Sequence, residues 1–318
     1  MTSSPDQALK PARRFLHACY CCTGARADSV VRFFVEQLSM RNTMSSPIER
    51  GSGALLGLEG EVESGASFLY DERGPRVSPA IEVQAWVDPP LVGSPIDDPT
   101  EVGIRSLGLT VPDVDDVTER LRAFHCVVAG AGESAFGNRW VTIRDPTGVT
   151  IDLVEDGVLP VGHTRMRHLR ITVNDLAKSL PWYEGLGFEV VDRTPIDDAE
   201  FLGLDGVATA EAVRLRLPDE AFEAMLIQWN RPPSHGRHVS EPNHAGLFRA
   251  AVGVDDTRAS FDAMSAAGWT FDRRPARVEL HGTPVPDMWI CFISDPDGIP
   301  YEFVQRPREA FRVDRGDR

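Results

Sequence analysis

Lysine is nearly absent. Lys10 and Lys178 are the only two in 318 residues, and arginine carries almost all of the positive charge. Acids outnumber bases 48 to 33, for a formal charge of −15. A surface of that sign repels phosphate backbones, which excludes nucleic acid as the expected partner. No run of about 18 apolar residues occurs, so no transmembrane helix and no membrane partner is expected. The first residues, MTSSPDQALKPARR, have no apolar centre and do not read as a secretory signal. The expected setting is the cytoplasm. Cysteine is scarce and odd in number: Cys19, Cys21, Cys22, Cys126 and Cys291. Cys19 and Cys22 spell CxxC, but residues three apart on a strand point to opposite faces. No second thiol pair completes a usual zinc spacing. Reduced, buried thiols are expected, with a thiolate metal site from Cys19 and Cys21 as the alternative.

What the chain has instead is repetition. Four short apolar strands, RFLHACYCC (14–22), IRSLGLTVPDVDD (104–116), MRHLRITVNDLAKS (166–179) and LFRAAVGVDD (247–256), each run into a polar turn and a helical pattern. The helices are read at 27–39, 114–124, 175–187 and 255–268 from apolar residues at three- and four-residue spacing. Asp113, Asp175 and Asp255 stand at N-cap positions, and Gly187 and Gly268 at C-cap positions. Strands then follow, at 67–72 and 79–87 in the first unit and 212–217 and 223–229 in the third. The second and fourth units end in matching hairpins, WVTIRDPTGVTIDLVE (140–155) and WICFISDPDGIPYEFVQ (289–305). Pro presets one turn position and Gly supplies positive φ at another, so Asp-Pro-x-Gly makes a tight reversal.

A strand with an inward His, a helix, and strands closing in D-P-x-G-x-x-x-[DE] resemble the vicinal oxygen chelate superfamily of glyoxalases, bleomycin resistance proteins and extradiol dioxygenases. The resemblance covers about residues 13 to 306. It implies an α+β fold of four βαβββ modules, paired into two glyoxalase-like domains with cup-shaped mixed sheets. The expected division is a flexible tail at 1–12, a first domain at 13–156 (modules 13–90 and 103–156), a linker at 157–165, a second domain at 166–306 (modules 166–233 and 246–306), and a tail at 307–318.

The resemblance also implies that metal ligands come from the first and last strands of each module. First-strand positions are then His17, Ser106, His168 and Arg249. Last-strand positions are Glu82, Asp152, Met225 and Glu302. If adjacent modules pair, one cup holds His17, Glu82 and Asp152 as metal ligands, with Ser106 in the fourth corner. The other holds His168 and Glu302 beside Met225 and Arg249, as a degenerate cup or substrate site. If the first module pairs with the fourth, His17, Glu82 and Glu302 face Arg249, and Asp152, His168, Ser106 and Met225 share the other cup. Both pairings stay open, and His17 stays with Glu82 in each. One imidazole and carboxylates suit Fe²⁺, Mn²⁺, Ni²⁺ or Zn²⁺. Glu82 and Glu302 are the candidate catalytic carboxylates.

Each site has a plainer reading: His17 as a hydrogen-bonded core residue, Asp152 as a solvent-facing strand residue. His235, His238 and His244 read as a solvated loop over a pocket, and His281 as a weak match to a dioxygenase catalytic His. The expected function is a metalloenzyme of lyase, isomerase or ring-cleaving dioxygenase type, acting on a partly apolar small molecule with vicinal oxygens. It has one competent cup and one degenerate cup, and is a monomer or homodimer. The alternative is a metal-free binding or antibiotic-sequestering protein of the same fold.

Overall fold

A computed structural model describes residues 9–279 and 287–306. His281 and the tails 1–8 and 307–318 lie outside the described residues. Ala12, expected in the N-terminal tail, is buried, and its N–H donates to the Leu186 carbonyl at 2.9 Å.

The chain is four copies of one strand–helix–three-strand unit. The first runs β1 (Arg14–Thr23), α1 (Gly24–Arg32), β2 (Arg41–Ser52), β3 (Glu61–Tyr70) and β4 (Ala80–Asp88). The second runs β5 (Gly103–Val111), α2 (Val114–Arg122), β6 (Val127–Glu133), β7 (Arg139–Arg144) and β8 (Thr150–Glu155). The third runs β9 (Arg165–Thr172), α3 (Leu176–Leu186), β10 (Glu189–Ile196), β11 (Thr209–Arg216) and β12 (Glu223–Arg231). The fourth runs β13 (Gly246–Val254), α4 (Thr257–Ala266), β14 (Arg273–Glu279), β15 (Asp287–Ser294) and β16 (Pro300–Gln305).

Asp113 and Asp175 cap their helices as the sequence suggests, accepting from Asp115 and Asp116 and from Ala177 respectively. On α4 the cap is Asp256 rather than Asp255. Its carboxylate reaches the N–H groups of Arg258 and Ala259. β2 escaped the pattern reading because its side chains are mostly exposed and do not alternate. It is an edge strand, where Pro47 is tolerated.

The strands form two eight-stranded sheets. One has the order β14-β15-β16-β13-β1-β4-β3-β2, the other β10-β11-β12-β9-β5-β8-β7-β6. Each sheet therefore takes one unit from each half of the chain. The first unit pairs with the fourth through antiparallel β1–β13, and the second with the third through β5–β9. This corrects the division at 13–156 and 166–306: the two cups are not consecutive segments. The physical reason lies in the central strands, which pair across the halves and not within them. One apolar core contains residues of both sheets, such as Tyr20, Leu107, Leu169 and Phe303, and of the helices, such as Leu121 and Leu180.

The two Asp-Pro-x-Gly hairpins help join the sheets. Asp145 accepts from the N–H groups of Thr147 and Val149, and Asp295 from those of Asp297 and Ile299. Each spare oxygen receives a tyrosine hydroxyl from the other sheet's units: Tyr20 on Asp145 at 2.6 Å and Tyr183 on Asp295 at 3.2 Å. Gly148 and Gly298 have φ of 96° and 89°, as the turn requires.

Candidate functional site

Strand alternation decides what faces each cup. On β1, Ala18, Tyr20 and Cys22 enter the core, while Cys19 and Cys21 lie with Trp86 on the opposite face. His17 lines the cup on that same face, beside Glu82 and Gln84 of β4. The register is the same in all four units. In each, the last-strand position pairs with the residue two beyond the first-strand position. Glu82 pairs with Cys19, Asp152 with Gly108, Met225 with Arg170 and Glu302 with Ala251.

In the first cup, between units one and four, four polar side chains meet. His17 Nε2 lies 3.4 Å from Glu82 and 3.6 Å from Glu302. These are longer than a well-formed N–H···O bond. Arg249 is bound more tightly: Nη2 donates to both oxygens of Glu82 at 2.9 Å, and Nε to Glu302 at 3.3 Å. All four are buried. Burial opposes the Arg249 charge, but the facing Cys19, Glu82 and Glu302 raise its pKa further still. Burial likewise pushes Glu302 up, yet contact with His17 and the Arg249 charge hold it below the usual carboxylate range. Above this floor opens a cavity of about 540 Å³. Its walls are largely apolar, with Met44 and Phe68 on one side and Leu55, Leu56, Met288 and Ile290 on the other.

The donors present do not fit a divalent ion. His17, Glu82 and Glu302 converge, but a guanidinium already occupies the hydrogen-bonding space between the carboxylates. A doubly charged ion about 2 Å from each donor would sit against that fixed cation. Among the described residues, no group of three or more His, Cys, Asp and Glu is arranged to hold a metal.

The second cup, between units two and three, has no comparable cavity. Asp152 is here, not beside His17 and Glu82, which corrects the expected His17/Glu82/Asp152 set. Asp152 accepts from Arg170 Nε and Nη2 at 2.8 and 3.0 Å and from the Thr142 hydroxyl at 2.8 Å, and His168 Nε2 stands 3.2 Å away. It is fully buried, contrary to a solvent-facing strand position. Burial raises its pKa, but Arg170 and His168 more than reverse this and leave it well below the usual range. Burial also lowers the pKa of His168, whose ring lies 5.0 Å from that of Trp140. Ser106 and Met225 are buried nearby without a role in the network.

The space above is filled by the chain itself. The turn Glu200–Leu202 sends Phe201 against Trp140, with ring centroids 5.4 Å apart. The Phe201 carbonyl lies 2.8 Å from the Thr142 hydroxyl. The corresponding turn of the first unit, Ala54–Leu56, lines the first cavity without filling it.

Arg170 was missed from sequence. The available signal was parity: it stands two residues after His168 on an apolar strand and so shares its face. The three linker histidines do not converge. His235 contacts Asp98, the buried His238 donates to the Phe248 carbonyl, and His244 contacts its neighbour's carbonyl. All five cysteines are free and buried.

Comparison with known proteins agrees with this architecture. Residues 165–303 match the Glyoxalase/Bleomycin resistance protein/Dioxygenase superfamily. A probable lactoylglutathione lyase of Vibrio cholerae serotype O1 is 25% identical over 146 residues, 44% of this chain and 90% of that protein. One from Vibrio parahaemolyticus serotype O3:K6 is 27% identical over 152 residues, 46% of this chain and 94% of that protein. Glyoxalase I from Zea mays shares the fold with a TM-score of 0.68 at 18% identity, covering 94% of both chains. A putative dioxygenase from Bacillus subtilis has a TM-score of 0.61 at 15% identity, covering 95% of this chain and 87% of the other. No helix among the described residues is long and apolar enough to cross a membrane.

Proposed function

For a chain whose residues 165–303 match the glyoxalase, bleomycin resistance protein and dioxygenase superfamily, we propose a metal-independent pocket in the first cup that takes one partly apolar small molecule. The carrying observation is Arg249. It bonds both Glu82 and Glu302 and supplies, from within the chain, the positive charge that a divalent ion would bring. Apolar walls hold the body of the ligand, and the polar floor receives its hydrogen-bonding end. His17, set between two carboxylates, is the group placed to exchange a proton with a bound molecule. The second cup acts as structure, its ligand space taken by Phe201.

The test combines metal analysis with dye binding. The full chain is loaded with Fe²⁺, Mn²⁺, Ni²⁺ and Zn²⁺ in turn, dialysed and analysed; no stoichiometric metal is expected. Nile red, a neutral apolar dye, is expected to bind once per chain. Ala66→Trp, which fills the cavity, should abolish that binding while keeping the thermal midpoint. Dye binding unchanged in Ala66→Trp would refute the pocket.

A second reading keeps the divalent ion that superfamily members typically use, with His17, Glu82 and Glu302 as ligands. Their convergence favours it, and one retained equivalent of metal would establish it.

A further inference from the structure

The second cup has a feature that its internal network does not use. Beside that network lies a crevice of about 10 Å³, bordered by Arg105, Arg144, Arg170, Thr142, Thr150 and Gly203. That is room for about one water molecule or one small ion. Three arginines border it, and each has a buried nitrogen without a hydrogen-bond partner: Nε and Nη1 of Arg105, Nη1 of Arg170 and Nε of Arg144. Arg105 and Arg170 are 4% and 1% exposed.

The nearby carboxylates are already engaged. Asp152 is held by Arg170. Asp97, on the crevice wall, pairs with Arg144 at 3.1 Å. Asp98, also on the wall, accepts from Thr100 and faces His235 at 3.2 Å. Arg105 makes no ion pair of this kind, although the Glu101 and Asp98 carboxylates favour its charge from farther away. Of the charged side chains here that are more than nine-tenths buried, Arg105 and Arg170 are cations and only Asp152 is an anion. Among these most buried groups one positive charge is left over, and the Arg105 guanidinium keeps two nitrogens without a hydrogen-bond partner. A buried charge is retained at such cost only when something pairs with it. Burial draws the Arg105 pKa down to about 10, with Glu101 and Asp98 opposing the fall and Arg170 adding to it, so the group is still a cation at neutral pH.

We infer that this crevice binds a single small inorganic anion of halide size, held by the guanidinium groups of Arg105, Arg170 and Arg144. Its size excludes organic carboxylates. The Thr150 hydroxyl on the wall can donate to the same ion. The site is separate from the cavity of the first cup and does not depend on the function proposed there.

The test uses the full chain, with chloride and bromide as probes. The thermal midpoint is followed while sodium gluconate is replaced by sodium chloride at constant ionic strength. Wild type should rise and then saturate. Arg105→Met should lose that rise, and in gluconate it should be no less stable than wild type. Crystals soaked in bromide should give an anomalous peak between the Arg105 and Arg170 guanidinium groups, a result that does not require the variant to fold. A wild-type midpoint indifferent to chloride would mean that water fills the crevice, and would overturn the inference. So would an equal rise in Arg105→Met, or a bromide peak only elsewhere.

Discussion

Replacing Arg249 by His should turn the first cup into a metal site. In wild type the guanidinium bonds Glu82 at 2.9 Å and Glu302 at 3.3 Å, and all three groups are buried. Removing one partner of a buried charge pair costs about 3–5 kcal/mol, because the other charge is left behind. Arg249→Met should show that cost in full, as a lowered denaturant midpoint at neutral pH. Arg249→His should show it only without metal. The introduced imidazole would stand in the strand position that matches His17, so two imidazoles and two carboxylates would line one floor. An ion at a hundred times its dissociation constant then restores about 2.7 kcal/mol, most of the smaller loss. The assay is metal content after dialysis, paired with denaturation with Ni²⁺ or Zn²⁺ and with chelator. Wild type should respond to neither; the variant should bind about one equivalent and lose its added stability to chelator. A stoichiometric ion in wild type, or a folded Arg249→His that stays metal-free under load, would refute the idea that Arg249 is what displaces the metal.

Three further outcomes follow from the packing. Phe201→Ala should cost about 3–5 kcal/mol through the cavity left in the second cup, yet leave Nile red binding in the first cup unchanged; a coupled loss would show that the cups are not independent. Gly108→Ala should destabilise strongly by denaturant titration, since a Cβ there would collide with the buried His168 ring; a neutral result would mean that the ring can move aside. Burial raises Asp295 to about 7, so its folded pKa lies above the unfolded value of about 3.9. The folded state then holds the proton more firmly, and stability is full below about pH 4 and lost as pH rises through about 7. Asp295→Asn should flatten that decline, read as midpoint against pH, and a slope equal to wild type's would sink the assignment.

Much of the fold was legible because it rests on local signals. The Asp-Pro-x-Gly hairpins, the caps at Asp113 and Asp175, and the helix periodicity each follow from a few neighbouring residues. β2 was not legible, because an exposed edge strand carries no apolar alternation. The pairing of units was not legible either, since β1 could have met β5 or β13 with an equally apolar face. That one choice moved Asp152 out of the first cup and brought in Glu302 and Arg249. The corner positions themselves were correctly aligned, as the common register shows. What they do together depends on long-range pairing, which no local pattern contains. Phe201 was hidden for the same reason: nothing in its own segment says which cup it enters.

The two cups differ in charge for a reason that the repeat explains. Core-facing residues, such as Tyr20 and Phe303, hold the sheets and helices together, so their apolar character is constrained. Cup-facing residues make few of those contacts and are free to diverge between copies. In the first cup a cation replaced one first-strand position, at Arg249, and left two carboxylates around it with one net negative charge. In the second, a cation arose two residues further along, at Arg170, and gripped the single carboxylate Asp152. Arg105 then leaves the most buried groups of that side with one positive charge in excess. A floor with excess acceptors under an open apolar cavity suits a neutral ligand that can donate a hydrogen bond. A crevice with excess donors and no cavity suits a small anion. Because the two sites use opposite charges on the same scaffold, chloride should leave Nile red binding untouched, and the dye should leave the chloride-dependent rise in midpoint untouched.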